Sequence, residues 1–182
     1  ERCEDAIAVY DQIPADSTLK RNADIQAGLC LDALDRTDEA ATRLDAVIAA
    51  YPSDIEAIAA LGNIYRGRER FAEAAEVYTK AIDSIGTPEA GDWRLFYFRG
   101  VANERSKNWA QAEQDLKKAL ELNPGQPQVL NYLGYSWVDM GINLDEGLEM
   151  IRKAVEERPN DGYIVDSLGW AYYQLGDYEQ AV

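Results

Sequence analysis

A short pattern centred on one glycine recurs through this chain at intervals of about 34 residues. In the copy at 130–159, Leu133 precedes Gly134, Trp137 follows, and Pro159 closes the unit. The glycine is present in all five copies: Gly28, Gly62, Gly100, Gly134 and Gly169. A chain built from a short repeated unit folds by stacking neighbouring units, because one unit alone cannot bury its apolar face.

Each unit has the sequence pattern of two amphipathic helices joined by a tight turn. In the repeat at about 18–52, Ala40, Leu44 and Val47 fall on one face at helical spacing. Pro52 then ends the helix, because proline lacks a backbone donor and crowds the preceding turn. No strand is expected. The predicted helices lie at about 1–13, up to Leu34, and at 39–50, 54–67, 71–84, 93–106 and 109–122.

Polar residues before two of these helices predict N-caps. Asp16–Thr18 precede the helix that ends near Leu34 and are expected to cap it. Ser53 and Glu56 have the spacing of a capping box, in which Ser53 caps the helix and Glu56 reaches back to the cap. One extra residue near Asn143 is expected to lengthen the turn inside the unit at 126–159.

The residue order in each unit resembles the tetratricopeptide repeat, or TPR, whose pattern is a large residue, Leu-Gly, Tyr, Ala, an aromatic residue and Pro. The resemblance implies an all-α fold, a right-handed superhelix of TPR helix-turn-helix repeats of the α-solenoid type. It predicts one TPR array at 1–182, with an irregular junction at 85–92. Its parts are a half repeat at 1–14, repeats at about 18–52, 53–86, 92–124 and 126–159, and a truncated repeat at 160–182.

The recurring glycines are expected to serve helix packing. Glycine inside a helix costs about 1 kcal/mol relative to alanine, so its return at one phase needs a compensating gain. Without a side chain, the glycine lets the paired helix come close. Small residues are expected at the facing positions: Ala40, Ala74, Ala112, Gly147 and Ala181.

Charge and hydropathy exclude two classes of partner. The net charge is −15, and a nucleic-acid-binding protein needs lysine and arginine to displace counterions from phosphate. No run of about 18 apolar residues is present, so this fragment is not expected to insert directly into a membrane.

Catalytic, cofactor-binding and metal-binding residues are not predicted. The chain contains no histidine, so neither a Ser-His-Asp triad nor a HExxH zinc site can be built from it. The two cysteines, Cys3 and Cys30, are too few for structural zinc. They are expected on neighbouring helices, either as free thiols or as a disulfide. The chain is therefore predicted not to be an enzyme.

The resemblance to TPR proteins also implies a binding surface. In that family, four positions on one face of each first helix line a concave groove that holds a peptide or protein segment. The candidate groove residues are Asn63, Arg66, Arg94, Tyr97, Asn131, Tyr135, Tyr163, Asp166, Trp170 and Tyr173. Aromatic residues with a polar tip are common at interfaces. The alternative is that these aromatic residues pack against neighbouring repeats.

Two polar residues replace large apolar or aromatic ones in the repeat at about 92–124. Arg99 occupies the usual Leu position, and Asn103 the usual Tyr position. We interpret the pair as tolerated variants that are solvated or paired locally, and not as a functional site.

The leading prediction is a noncatalytic protein-interaction scaffold or adaptor. The segments 131–137 and 166–172, with the run Pro159–Gly162, resemble long bacterial TPR proteins. That resemblance implies a periplasmic or cell-envelope location for the whole protein. Two alternatives remain: a TPR region that selects substrate for a larger enzyme, such as a glycosyltransferase, and a spacer without a ligand. Because the chain begins and ends inside repeats, end-to-end self-association of the fragment is also expected.

Overall fold

The computed structural model describes residues 2–181. Within that range the chain forms ten α-helices and one 3-10 helix and contains no strand. The all-α prediction is confirmed, and the helices predicted at 71–84 and 109–122 have those bounds. The helices are α1 Arg2–Asp11, α2 Lys20–Ala33, α3 Thr37–Ala50, α4 Ile55–Gly67, α5 Phe71–Ser84, α6 Trp93–Arg105, α7 Trp109–Leu122, α8 Pro127–Asp139, α9 Leu144–Glu157 and α10 Gly162–Gln174, with the 3-10 helix at Ala90–Asp92.

Consecutive helices pair as hairpins, and α2 packs on α3, α4 on α5 and α8 on α9. Three of the turns within hairpins have the same length and place one non-glycine residue in the left-handed region: Asp35, Glu69 and Lys107, with φ of 59°, 58° and 64°. The turn between α8 and α9 is one residue longer. Gly141 and Asn143 are both left-handed there, with φ of 68° and 46°. The extra residue predicted near Asn143 is therefore absorbed in the turn.

The chain divides into two compact units. The first comprises the chain up to Pro88 together with Val101–Asn108. The second comprises Glu89–Gly100 and the chain from Trp109 onward. The division after Pro88 falls in the segment expected to be irregular, where Gly86 is left-handed and a 3-10 helix forms at Ala90–Asp92.

Each unit has an apolar core made from the repeated large residues. In the first unit the largest fully buried side chains are Ile25, Leu44, Ile58, Leu61 and Tyr78. The corresponding set in the second unit is Leu95, Leu116, Val129, Leu133, Trp137, Ile151 and Ile164. These residues come from the face of each helix that the repeat pattern predicted to be buried.

Four of the recurring glycines lie where paired helices meet. A Cβ atom on Gly134 would lie 2.6 Å from the carbonyl oxygen of Gly147, which is backbone and cannot rotate away. On Gly62 it would lie 2.1 Å from the Tyr78 hydroxyl. Gly28 and Gly100 face Leu44 and Leu116 in the same way, at 2.9 and 3.0 Å. The close approach of the paired helices is confirmed at these four positions. The expectation of a small facing residue holds at Gly134, whereas Gly28 and Gly62 meet the large side chains of Leu44 and Tyr78 and not Ala40 or Ala74.

Gly169 is different, because the segment after α10 does not form the helix expected there. A Cβ on Gly169 would make only an ordinary 3.4 Å contact with the carbonyl oxygen of Ala181. Residues 178–180 form a turn, in which the Asp177 carboxylate accepts a hydrogen bond from the Gln180 amide at 3.3 Å.

The predicted capping box at Ser53 is wrong by one residue. The N-cap of α4 is Asp54, and its carboxylate accepts hydrogen bonds from the amides of Glu56 and Ala57, both at 3.1 Å. Arg21 holds the Asp54 carboxylate in place through two hydrogen bonds from its guanidinium. A neighbouring cation therefore favours the charged cap over the hydroxyl of Ser53.

The predicted cap at 16–18 is also displaced. The N-cap of α2 is Leu19, which makes no side-chain capping bond. The hydroxyl of Ser17 instead accepts a hydrogen bond from the Leu19 amide at 3.2 Å, one step before the helix begins.

Arg99 forms a buried ion pair and is not solvated. Its Nε and Nη2 atoms donate to the two carboxylate oxygens of Asp115, at 2.9 and 2.7 Å, and Asp115 is only 2% exposed. The repeat at 53–86, which is the third when the half repeat at 1–14 is counted as the first, has Leu61 and Val77 at the two equivalent positions. Local pairing is thus confirmed for Arg99, and the ion pair replaces an apolar contact.

Asn103 is also buried and not solvated. Its side-chain oxygen accepts a hydrogen bond from the Asn108 amide nitrogen Nδ2 at 3.4 Å, and its carbonyl accepts one from the Asn108 backbone at 2.8 Å. It therefore stabilises the end of α6.

Replacing Gly134 with leucine should lower the free energy of unfolding by about 1–3 kcal/mol, because the side chain would force α8 away from α9. Urea denaturation followed by circular dichroism measures the change. Gly67→Leu is the matched control, since nothing lies within 4 Å of a Cβ at that helical glycine. Equal stability of the two variants would show that α8 and α9 are not in close contact.

Arg99→Leu and Asp115→Val should each lower the free energy of unfolding by about 3–5 kcal/mol, because each removes one partner of a buried ion pair. The double variant recreates the apolar pair of the third repeat and should match wild type or exceed it by about 1–4 kcal/mol. A double-mutant cycle in urea measures the coupling.

The exposed Lys118–Glu121 pair, at 2.7 Å, serves as the control for that cycle. Lys118→Ala should change stability by at most about 1 kcal/mol. Additive costs for Arg99→Leu and Asp115→Val would contradict the buried pairing.

Asp54→Ala should lower the free energy of unfolding by about 1–2 kcal/mol, because α4 loses its cap and Arg21 loses a partner. Ser53→Ala should stay within about 0.5 kcal/mol of wild type. Thermal melts of the two variants give the comparison. A larger loss at Ser53 than at Asp54 would restore the capping box predicted from sequence.

Candidate binding surface on helices α8 and α10

Helices α8 and α10 each bury one face and present aromatic side chains on another. In α10, Ile164 and Ala171 are buried, whereas Trp170 and Tyr173 are 37% and 53% exposed. Tyr163, Asp166, Trp170 and Tyr173 form one stripe, because they follow the helical spacing of three and four residues. In α8, Tyr135 is likewise 37% exposed.

Four candidate groove residues line one cavity in the second unit: Tyr135, Asp166, Trp170 and Tyr173. The cavity has a volume of about 570 Å³. The rings of Trp170 and Tyr173 stack with centroids 5.6 Å apart and planes at 20°. The remaining lining residues are Val165, Leu168, Gly169, Gln180 and Ala181. We refer to this cavity as the α8–α10 pocket.

The pKa of the Tyr135 hydroxyl is raised. Burial raises the pKa of the Tyr135 hydroxyl above its usual value, and the nearby Asp139, Tyr163 and Asp166 raise it further. Tyr163 does not line the pocket, and its side chain is 69% exposed.

The other candidate residues of the second unit lie outside the pocket. Arg94 is exposed, and its guanidinium carbon lies 5.0 Å from the centre of the Trp93 ring. Tyr97 is half-buried and meets Tyr132 edge to face, with ring centroids 6.1 Å apart. Asn131 is only 3% exposed, and its side-chain oxygen has no hydrogen-bond partner in residues 2–181.

The first unit holds the remaining two candidates, Asn63 and Arg66. Nη1 of Arg66 donates to the side-chain oxygen of Asn63 at 3.1 Å. Asn63 also lines a cavity of about 440 Å³ between α2 and α4, together with the exposed Leu29. Two carboxylates of that cavity are paired: Glu56 with Arg21 and Asp32 with Arg68, both at 3.0 Å.

Sequence reasoning missed several residues near the α8–α10 pocket. Asp139 was not named, although it follows Tyr135 by one helical turn and should therefore share its face. Val165 and Leu168 stand at the repeat positions of the buried Leu130 and Leu133, yet they line the pocket. The repeat pattern placed Ala181 opposite Gly169, which also lines the pocket. It could not place Gln180 there, because it predicted a second helix for that segment.

Neither a metal site nor a membrane span emerges from the described residues. Residues 2–181 contain no group of three or more His, Cys, Asp or Glu side chains that could hold a metal ion. None of the helices in that range is both long and apolar enough to cross a membrane. The chemistry available at the α8–α10 pocket is that of aromatic rings, hydroxyls and a carboxylate.

Stacked helix hairpins with exposed first-helix stripes define a helical-repeat protein of the interaction-scaffold class. Residues 25–87 and 59–127 match the family profile of the tetratricopeptide repeat, and a second tetratricopeptide repeat profile matches residues 166–182. The chain belongs to the tetratricopeptide repeat family.

One curated relative and two solved structures illustrate the similarity. TPR repeat-containing protein PA4667 of Pseudomonas aeruginosa is 31% identical over 147 residues, which cover 80% of this chain and 24% of that protein. The chain thus spans about a quarter of the length of this relative. The crystal structure of MamA has a TM-score of 0.69 at 25% identity and covers 85% of this chain and 87% of its own.

YrrB, described as a TPR protein with an unusual peptide-binding site, has a TM-score of 0.64 at 22% identity and covers 100% of this chain and 88% of its own. At this identity the likeness to YrrB concerns the fold alone.

Proposed function

We propose that this chain is a noncatalytic scaffold whose α8–α10 pocket binds a segment of a protein partner. The observation that carries the proposal is the cluster of half-exposed aromatic residues, Tyr135, Trp170 and Tyr173, around one cavity. Tyrosine and tryptophan dominate binding energy at interfaces, because they offer large, rigid surfaces that still form hydrogen bonds.

The exposed stripe along α10 supports a short segment as the ligand. The stripe from Tyr163 to Tyr173 extends along α10 for about 15 Å, at 1.5 Å per residue. An extended peptide of about five residues covers that length. The pocket itself, at about 570 Å³, has room for one or two of the peptide's side chains. We therefore expect one anchored side chain and flanking residues along the stripe.

The side chains of the pocket support the proposal of a noncatalytic role. The chain has no histidine, and the carboxylate of the pocket, Asp166, lies among aromatic and apolar side chains, with the hydroxyls of Tyr135 and Tyr173 and the amide of Gln180 as further polar groups. Aromatic side chains around a single carboxylate are suited to holding a bound partner. In the whole protein, we propose that this region acts as an adaptor.

Tyr135→Ala with Trp170→Ala should weaken binding of a pocket peptide at least about 30-fold while leaving helicity intact, since each removes an anchor. Peptides are first selected from a displayed random library on the wild-type chain. Fluorescence anisotropy then measures their affinity for each variant, and circular dichroism reports helicity.

The matched control is Tyr51→Ala with Val9→Ala, which removes two exposed apolar side chains outside α8 and α10. This control should keep full affinity. If the selected peptides bind the Tyr135/Trp170 variant as tightly as wild type, the surface lies elsewhere. If that variant loses its helicity, the two aromatic residues belong to the core.

A further inference from the structure

The helices that form the α8–α10 pocket carry acidic residues and no basic ones. Neither α8 nor α10 contains a lysine or an arginine. Asp166 lines the pocket together with Tyr135, and Asp139 follows Tyr135 by one helical turn on α8. Both carboxylates are exposed, and neither forms an ion pair within residues 2–181. The charge at this pocket is therefore negative and uncompensated.

The basic residues that follow α8 in the chain have partners outside the pocket. Arg152 donates to the Tyr172 hydroxyl at 3.1 Å. Lys153 pairs with Glu149 at 3.7 Å, and Arg158 with Asp161 at 3.8 Å. None of the three lines the pocket. The charge of Asp166 is thus left for a group that comes from outside the chain.

The first unit shows the contrasting arrangement. The cavity between α2 and α4 also contains two carboxylates, Asp32 and Glu56. Arg68 and Arg21 neutralise them, each at 3.0 Å. Unpaired carboxylates are therefore a property of the second unit's pocket and not of every first-helix surface in this chain.

Aromatic faces beside the carboxylate complete a site for a cation. The stacked rings of Trp170 and Tyr173 are half-exposed and line the same pocket as Asp166. The face of an aromatic ring carries negative potential and attracts a guanidinium or ammonium group. A planar guanidinium stacks on such a ring and can still donate two hydrogen bonds to a carboxylate.

We infer that the α8–α10 pocket binds an arginine side chain of a basic partner segment, whose guanidinium stacks against Trp170 or Tyr173 and pairs with Asp166. The inference rests on the proposed function and specifies the chemistry of its partner. A segment anchored by an apolar or acidic residue is the alternative occupant, and the test below distinguishes them.

The test uses the ¹⁵N-labelled chain and two small probes, Nα-acetylarginine amide and its uncharged analogue Nα-acetylcitrulline amide. The indole N–H signal of Trp170 should shift saturably when the arginine probe is added. The chain should bind the citrulline probe about ten-fold more weakly than the arginine probe, because stacking and pairing both need the charge. The indole of Trp137, which is buried and donates to Glu113 at 3.0 Å, is the internal reference and should not shift.

Asp166→Asn should weaken the arginine probe about five-fold, as expected for loss of one exposed ion pair. Glu156→Gln, which removes an equal charge from the exposed surface of α9, should leave the affinity unchanged. Equal affinity for the two probes, an unchanged affinity in Asp166→Asn, or the absence of a saturable shift at Trp170 would each overturn the inference.

The peptide selection separates this failure from failure of the proposed function. Selected peptides that depend on Tyr135 and Trp170 but contain no basic residue would leave the scaffold function standing and overturn the arginine site. Selected peptides that bind independently of Tyr135 and Trp170 would overturn both.

Discussion

The structure depends on the close approach of paired helices at glycine. Where α8 crosses α9, a single added carbon on Gly134 would meet the carbonyl oxygen of Gly147. This contact is stricter than a side-chain contact, because backbone cannot change rotamer. It fixes which side of α8 faces α9, and Tyr135, the residue next to Gly134, is then directed to a different side. Helix packing and the candidate binding surface are therefore set by the same residues.

Charge is handled differently in different parts of the chain. The Arg99–Asp115 pair lies in a core position, where its geometry must offset the loss of water around both ions. Arg21 and Arg68 link carboxylates of neighbouring segments on the surface of the first unit. Around Asp166 no such partner exists within residues 2–181, although the carboxylate is exposed. Carboxylates are therefore paired internally in one part of the chain and free in another.

The repeat pattern was sufficient for most of the fold, because glycine and alanine recur at one phase and the proline and turn residues mark helix ends. It failed where a contact involves residues that are distant in sequence and do not recur in the repeat. Asp54 replaced Ser53 as a cap because Arg21, which is distant in sequence, supports the carboxylate. The aromatic stripe of α10 could be read from spacing. The burial of Asn131 and the position of Gln180 depend on neighbouring segments that spacing alone does not place.

The longer turn between α8 and α9 shows where this chain accommodates a difference in repeat length. Gly141 and Asn143 take up the additional residue in left-handed conformations, and Gly147 still meets Gly134. Length variation is therefore confined to the turn and does not rotate α9 against α8. Insertions and deletions at this end of a hairpin can accumulate without moving the surface beside Gly134. In an array of such hairpins, the spacing of the turns and the chemistry of the first helices can evolve separately.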